Sequence, residues 1–187
     1  DRPPLHVLRG HGGGVVALAS APAGRRLVTG SQGATARLWE TATGQELRVH
    51  EGHLGPVLAA TFAADGRRVL TASGDGTARL WEADSGRQLA ILRGHENQVN
   101  SACFSPDGER VLTASDDRTA RLWQASSGAV LAVLRGHRRH VRWAAFSPDG
   151  LRAITTSEDF TARLWNAGTA SEETALQRSR DWGRSAV

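Results

Sequence analysis

No lysine, no tyrosine and no methionine occur in this chain of 187 residues, and cysteine occurs once. A lone Cys103 excludes an intrachain disulfide, and the expectation is a cytoplasmic protein. No apolar run approaches the roughly 20 residues of a membrane-spanning helix, so no membrane partner is expected. No secretory leader opens the chain, but residue 1 is Asp rather than Met, and that absence carries no weight. Without lysine, all 23 basic residues are arginine, which places the pI near 11.0 without implying a strongly cationic surface. The formal net charge is only +4, because 19 Asp and Glu are spread along the sequence. The densest basic block, Arg138, Arg139, His140 and Arg142, is too short for a nucleic-acid arm, so nucleic acid is not an expected partner. The Arg-, Ala- and Gly-rich usage points to a GC-rich, bacterial genome.

What is present is a repeat. Gly-His pairs stand at Gly10-His11, Gly52-His53, Gly94-His95 and Gly136-His137, a step of 42 residues each time. Trp39, Trp81, Trp123 and Trp165 keep the same step, each 28 residues after its His. Two independent markers at one period set the architecture before any local reading. Within the third repeat, residues 99–104 predict a strand ended by the turn Ser105-Pro106-Asp107-Gly108, and residues 110–115 a second strand closed by Asp116-Asp117-Arg118. Thr119 to Trp123 predicts a third, and Ser127-Gly128 turns into a fourth at Val130 to Leu134. No helical apolar period extends over ten residues.

The Gly-His, Ser-Pro-Asp-Gly and Thr-Ala-Arg-Leu-Trp elements resemble the WD-repeat family over residues 5–166. The family's Trp-Asp pair reads Trp39-Glu40, Trp81-Glu82, Trp123-Gln124 and Trp165-Asn166 here, a departure at a variable position. The resemblance implies an all-β fold of propeller blades, each a four-stranded antiparallel meander, set radially about a channel with the first strand innermost. The chain is then a single propeller region, 1–187, with repeats at about 5–46, 47–88, 89–130 and 131–172 and a degraded tail at 173–187. Small pairs such as Ala59-Ala60, Ser101-Ala102 and Ala144-Ala145 suit the innermost strand. Trp143 stands where other repeats carry Ala17, Ala59 and Ser101, and reads either as a packing adjustment or as a partner-facing aromatic.

Each repeat also sets His, Ser, Asp and Trp at fixed spacing: His53, Ser73, Asp75 and Trp81; His95, Ser115, Asp117 and Trp123; His137, Ser157, Asp159 and Trp165. Ser, His and Asp together suggest a hydrolase, but a set that recurs in register, without a Gly-x-Ser-x-Gly elbow, reads as structure. A hydrogen-bonded chain from Asp to imidazole to hydroxyl to indole would satisfy all four side chains, and the resemblance implies the same network. The first repeat has His11, Ser31 and Trp39 but Gly33 at the Asp position, so its blade is expected to be the least rigid. His50 with His53, or His137 with His140, have the spacing of a metal pair but no further ligands nearby. Gly12-Gly13-Gly14 lacks the Lys and helix of a phosphate loop, and Cys103 reads as a small core residue. No catalytic residue, metal or cofactor is expected.

Residues 4–9 repeat the pattern of Gln88–Arg93 and Val130–Arg135, so the chain opens on the outer strand of a blade whose other strands lie elsewhere. Ser185-Ala186-Val187 falls in register with Ser101-Ala102-Cys103, as the start of a fifth inner strand. Three architectures follow: a closed ring of four completed by the N-terminal strand, an arc of a larger propeller, and two chains paired into a ring of eight. The arc is favoured, and its open ends carry a tendency to self-associate. The expected function is a protein–protein interaction scaffold. The alternative is a regulatory or sensory propeller attached to a larger bacterial enzyme, such as a kinase, with the catalytic part outside this chain. The expected contact surface is the rim shared by the loops before the inner strand and before the third strand. Its polar and charged members are Gln98, Asn100, Asp116, Arg138, Arg139, His140, Arg142 and Glu158, suited to a partner with an acidic patch.

Overall fold

Turn chemistry dictates where each strand stops. In the computed structural model, which describes residues 5–177, the hairpin glycines Gly24, Gly66, Gly108 and Gly150 all take φ between 66° and 71°. That left-handed conformation suits glycine and returns the chain on itself. In the third repeat the Gly108 N–H donates to the Ser105 carbonyl at 2.9 Å, while Asp107 accepts the Glu109 N–H at 2.9 Å. Between these turns the runs are short and rich in Val, Leu, Thr and Ala, as half-buried strands require.

The result is four antiparallel meanders. Blade one comprises β1 (Val15–Ser20), β2 (Arg26–Ser31), β3 (Ala36–Glu40) and β4 (Glu46–His50). Blade two comprises β5 (Val57–Phe62), β6 (Arg68–Ser73), β7 (Ala78–Glu82) and β8 (Gln88–Leu92). Blade three holds β9 (Val99–Phe104), β10 (Arg110–Ser115), β11 (Ala120–Gln124) and β12 (Val130–Leu134). Blade four holds β13 (Val141–Phe146), β14 (Arg152–Ser157), β15 (Thr161–Asn166) and β16 (Glu172–Gln177). The described residues contain no helix.

Period-two alternation gives each sheet two faces, and the core lies between blades rather than within one. Val28, Ala36 and Leu38 of blade one meet Val57, Val69 and Trp81 of blade two. Leu70, Leu80 and Leu92 meet Val99, Val111 and Trp123, and Leu112, Leu122 and Leu134 meet Val141, Ala153 and Trp165. Every blade thus has a forward face and a back face. Neighbouring inner strands pack as β1 on β5, β5 on β9 and β9 on β13, and the arc does not close. Its two end faces are uncovered among the described residues. Leu176 is 57 % exposed although its equivalents Leu92 and Leu134 are buried, and Val15 and Leu18 are exposed on the back of blade one. Each such side chain forgoes about 1.5–3 kcal/mol of burial.

Two expectations about the chain ends change. Residues 5–9 form no strand and do not complete blade four, which has its own outer strand, β16, paired along β15 from Thr161↔Gln177 to Trp165↔Glu172. Sequence decay after Trp165 hid this strand, because an outermost strand needs backbone pairing more than apolar side chains. The N-terminal segment lies instead on blade one, where His6 Nε2 donates to the Ala42 carbonyl at 2.8 Å and its Cβ meets Gly44. Gly86 and Gly128 meet Arg48 and Ala90 of the preceding blade's outer strand in the same way. Residues 5–9 therefore occupy, on the back of blade one, the place that an outer strand occupies at the other interfaces. Ser185-Ala186-Val187, read above as a fifth inner strand, lies outside the described residues.

Candidate functional site

The loop entering each inner strand carries the Gly-His pair. Gly94 takes φ +152°, and a Cβ there would stand 2.6 Å from Arg121 Nη1, so only glycine lets the loop close and tuck the imidazole inward. In blade two, His53 Nδ1–H donates to Asp75 at 2.9 Å, and His53 Nε2 accepts from the Thr71 hydroxyl at 2.8 Å. Trp81 Nε1–H completes the chain by donating to that same Thr71 oxygen at 2.9 Å. Because an ionised carboxylate only accepts, the proton of the neutral imidazole lies on Nδ1 and Nε2 is left to accept from the Thr hydroxyl. Blade three repeats this through His95, Asp117, Thr113 and Trp123, and blade four through His137, Asp159, Thr155 and Trp165.

The hydroxyl inside the chain is thus a threonine, not the serine expected from sequence. Ser73, Ser115 and Ser157 sit two residues further on, with side chains on the turn. Each donates to a backbone carbonyl of the incoming loop (Gly55, Asn97 and Arg139) and accepts the N–H of its network Asp. The signal for the threonine was present: Thr29, Thr71, Thr113 and Thr155 each precede their Trp by ten residues. Thr77, Thr119 and Thr161, also missed, donate hydroxyl and backbone N–H to the Asp. Burial alone would raise the Asp75 pKa, but the donors from Thr77, Leu54 and His53 outweigh it and hold the carboxyl at about 2. Burial likewise lowers the pKa of His53, against a pull upward from Asp75. An ionised acid beside a neutral, fully engaged imidazole has no nucleophile to activate.

Blade one shows the network without its acid. His11 Nε2 is hydrogen-bonded to Thr29 at 2.6 Å and Trp39 Nε1–H donates to Thr29 at 2.7 Å, but Gly33 offers no carboxylate. His11 Nδ1 and the Thr35 hydroxyl, whose equivalents meet the Asp, have no partner among the described residues. Ser31 keeps its turn bond to the Gly33 N–H at 3.2 Å.

The rim loops are tied together as the register implies, the Asp116 N–H donating to the Gln98 carbonyl and the Glu158 N–H to that of His140. Arg142 is not a free anchor. It donates to Asp116 of blade three at 2.8 Å and to Glu158 at 2.8 and 2.5 Å, bridging the two blades. Asn100 donates to Asp116 at 2.6 Å and to the Val141 carbonyl at 3.0 Å, Gln98 donates to Asn100 at 3.1 Å, and His140 stands 3.5 Å from both acids. Arg138 and Arg139 are exposed, and neither side chain forms an ion pair among the described residues. The turn after Asp159 holds a residue not foreseen: Phe160, 71 % exposed, at φ +67°. Its equivalents are Ala34, Gly76 and Arg118.

Other candidate chemistry is accounted for. Cys103 donates its thiol to the Ala144 carbonyl at 3.5 Å, and burial raises its pKa to about 11. His50 turns away from His53 into the interface between blades one and two, its ring centroid 5.2 Å from that of Trp81. Trp143 is 52 % exposed on the forward face of blade four.

A family profile described as "WD domain, G-beta repeat" matches residues 2–40, 44–82, 86–124 and 128–166. Human "WD repeat-containing protein 86" is 54 % identical over 41 residues, which is 22 % of this chain and 11 % of that protein.

Proposed function

The chain belongs to the WD-repeat family, whose repeats generally serve as protein-interaction scaffolds, and from that premise we propose that it docks a protein partner on the rim of blades three and four. The observation that carries this reading is a rim on which Arg138 and Arg139 are exposed, with no ion pair among the described residues, while the turn after Asp159 exposes Phe160. The left-handed backbone there is the turn shared by Ala34, Gly76 and Arg118, and what sets Phe160 apart is the bulk of an exposed aromatic at that position. Aromatic and Arg side chains are the residues that anchor interfaces. Arg138 and Arg139 suit an acidic patch on the partner, while Arg142, neutralised by Asp116 and Glu158, sets the relative position of the two loops.

The test is capture of partners on the immobilised chain. Phe160→Gly removes the aromatic and relaxes the turn, so it is expected to weaken capture while thermal stability holds or rises. Arg138→Glu with Arg139→Glu is expected to abolish it. Partners that survive both changes, but vanish when Pro56 and Leu58, which hold on blade two the repeat positions of His140 and Arg142, are altered, overturn the reading.

A further inference from the structure

The third strand of every blade carries an arginine two residues before its Trp: Arg37, Arg79, Arg121 and Arg163. Each lies against the glycine of the incoming Gly-His loop, where a Cβ added at Gly10, Gly52, Gly94 or Gly136 would stand 2.6–2.7 Å from the Nη1 atom. In all four the Nε–H is buried without a partner, and the hydrogen bond that holds the guanidinium is made by Nη1. In three blades the acceptor is the residue nine positions on, at the start of the outer strand. Arg37 donates to Glu46, Arg79 to Gln88 at 2.7 Å and Arg163 to Glu172 at 2.5 Å. Blade three has Val130 at that position, and the Arg121 guanidinium forms no hydrogen bond or ion pair among the described residues.

The surrounding charges differ in the same sense. Each arginine stands beside the residue that precedes its Gly-His pair and that residue's counterpart one repeat on. These are Arg9 and Glu51 for Arg37, Glu51 and Arg93 for Arg79, and Arg135 and Gln177 for Arg163, but Arg93 and Arg135 for Arg121. Arg79 registers the second neighbour: burial first, and the charge of Arg93 after it, lower its pKa against a pull from Asp75. Arg93 and Arg135 are exposed and form no ion pair among the described residues. Asp117 is engaged by His95 and Thr119, and Glu96 forms no ion pair with any of the three arginines.

We infer that blade three takes a glutamate side chain of a protein partner at Arg121, in the place that Glu46 and Glu172 fill from within blades one and four. Those blades define what the place accepts, since their carboxylate oxygens lie 3.2–3.3 Å from a Cβ built on the loop glycine, between it and the outer strand. At Gly94 the nearest atoms are those of Arg121 and Trp123 alone, because valine is shorter than glutamate and offers no acceptor. Val130 and Leu131 are 43 % and 50 % exposed, which suits a peptide with apolar residues beside its Glu rather than a free anion. A guanidinium–carboxylate bond is charge-assisted and about twice as strong as a neutral one, and Arg93 and Arg135 draw an acid toward it. The contact uses none of the rim residues, so it goes beyond the docking proposed above and stands or falls apart from it.

The test uses the whole chain with three separate probes: a short capped peptide carrying one Glu between two leucines, the same peptide with Gln, and inorganic phosphate. The readout is the NMR signal of the Arg121 Nε–H, identified by its absence in Arg121→Lys. The Glu peptide is expected to shift this signal saturably while those of Arg37 and Arg163 stay in place. The Gln peptide is expected to bind about tenfold more weakly. Val130→Glu, which rebuilds the internal partner of blades one and four, should abolish the response and raise Tm, and Val130→Gln, which copies blade two, should weaken the response. An Arg121 signal that does not move, equal affinity for the Gln peptide, a response to phosphate alone, or peptide binding undiminished in both Val130 variants overturns the inference.

Discussion

Blades one and three are copies of one design, yet they distribute polar groups in opposite ways. Blade three buries a complete chain from Asp117 through His95 and Thr113 to Trp123, and lines its forward face with Leu112, Leu122 and Leu134. Blade one lacks the acid and leaves His11 Nδ1 and Thr35 Oγ1 unpaired. It also places His50 where the others have leucine, 1 % exposed with neither ring nitrogen hydrogen-bonded. Burial lowers the His50 pKa to about 4, opposed by the nearby Gly86 backbone and aided by neighbouring Arg48. A blade therefore tolerates loss of the carboxylate, because the Thr-centred half of the network stands without it. What it loses is satisfaction of buried donors and acceptors, a local cost that leaves the fold unchanged.

The sharpest way to break this comparison is to remove the imidazole from both. His95→Ala strands the buried Asp117 carboxylate and the Thr113 hydroxyl and is expected to cost roughly 1–3 kcal/mol in chemical denaturation. His11→Ala strands only Thr29 and should cost clearly less; equal losses would show that the acid does not distinguish the blades.

The next effect follows from the titration of His50. Its folded pKa lies below its unfolded value of 6.5, so the unfolded state binds more protons between about pH 4 and 6.5. Stability from this residue is fully present above pH 6.5 and is lost as pH falls toward 4. His50→Leu, which restores the residue of blades two and three, is expected to stabilise the chain by about 2 kcal/mol at pH 5 and far less at pH 7. A stability difference that does not change between those pH values would contradict the assignment.

The smallest effect is a repair. Gly33→Asp offers a carboxylate to the waiting His11 and Thr35, and a gain of about 1 kcal/mol is expected from urea midpoints. Its Cβ comes within 3.2 Å of Gly12, so the glycine loop must yield slightly, which keeps the gain modest.

Most of the fold was legible in the sequence because a propeller blade cannot bury its faces alone, and the 42-residue step therefore records the architecture directly. The network was read with one wrong member. Ser115 and Thr113 are two residues apart on the same strand face, and spacing alone does not say which oxygen reaches the indole; strand register does. The rim loops were placed correctly by register, but the charges were not, since Arg142 looks free until Asp116 of the neighbouring blade comes within 2.8 Å. Phe160 escaped because its turn position carries four unrelated residues in the four repeats, and only its 71 % exposure in the fold marks it out. Strand β16 escaped because backbone pairing, unlike burial, leaves little trace in side-chain pattern.

Arg26, Arg68 and Arg110 each donate at 2.8 Å to a hairpin carbonyl of the next blade (Gly66, Gly108 and Gly150), and this repeated latch bears on how such a chain changes over generations. Every 42-residue unit carries an arginine for the unit after it and a carbonyl for the unit before it. A duplicated unit therefore arrives with both halves of its attachment already written, and inserts between any two neighbours without redesign of either. A deleted unit leaves behind two neighbours that already fit one another. Arrays of this construction lengthen and shorten by whole blades, and their blade number is free to drift while the contact that joins blades stays constant.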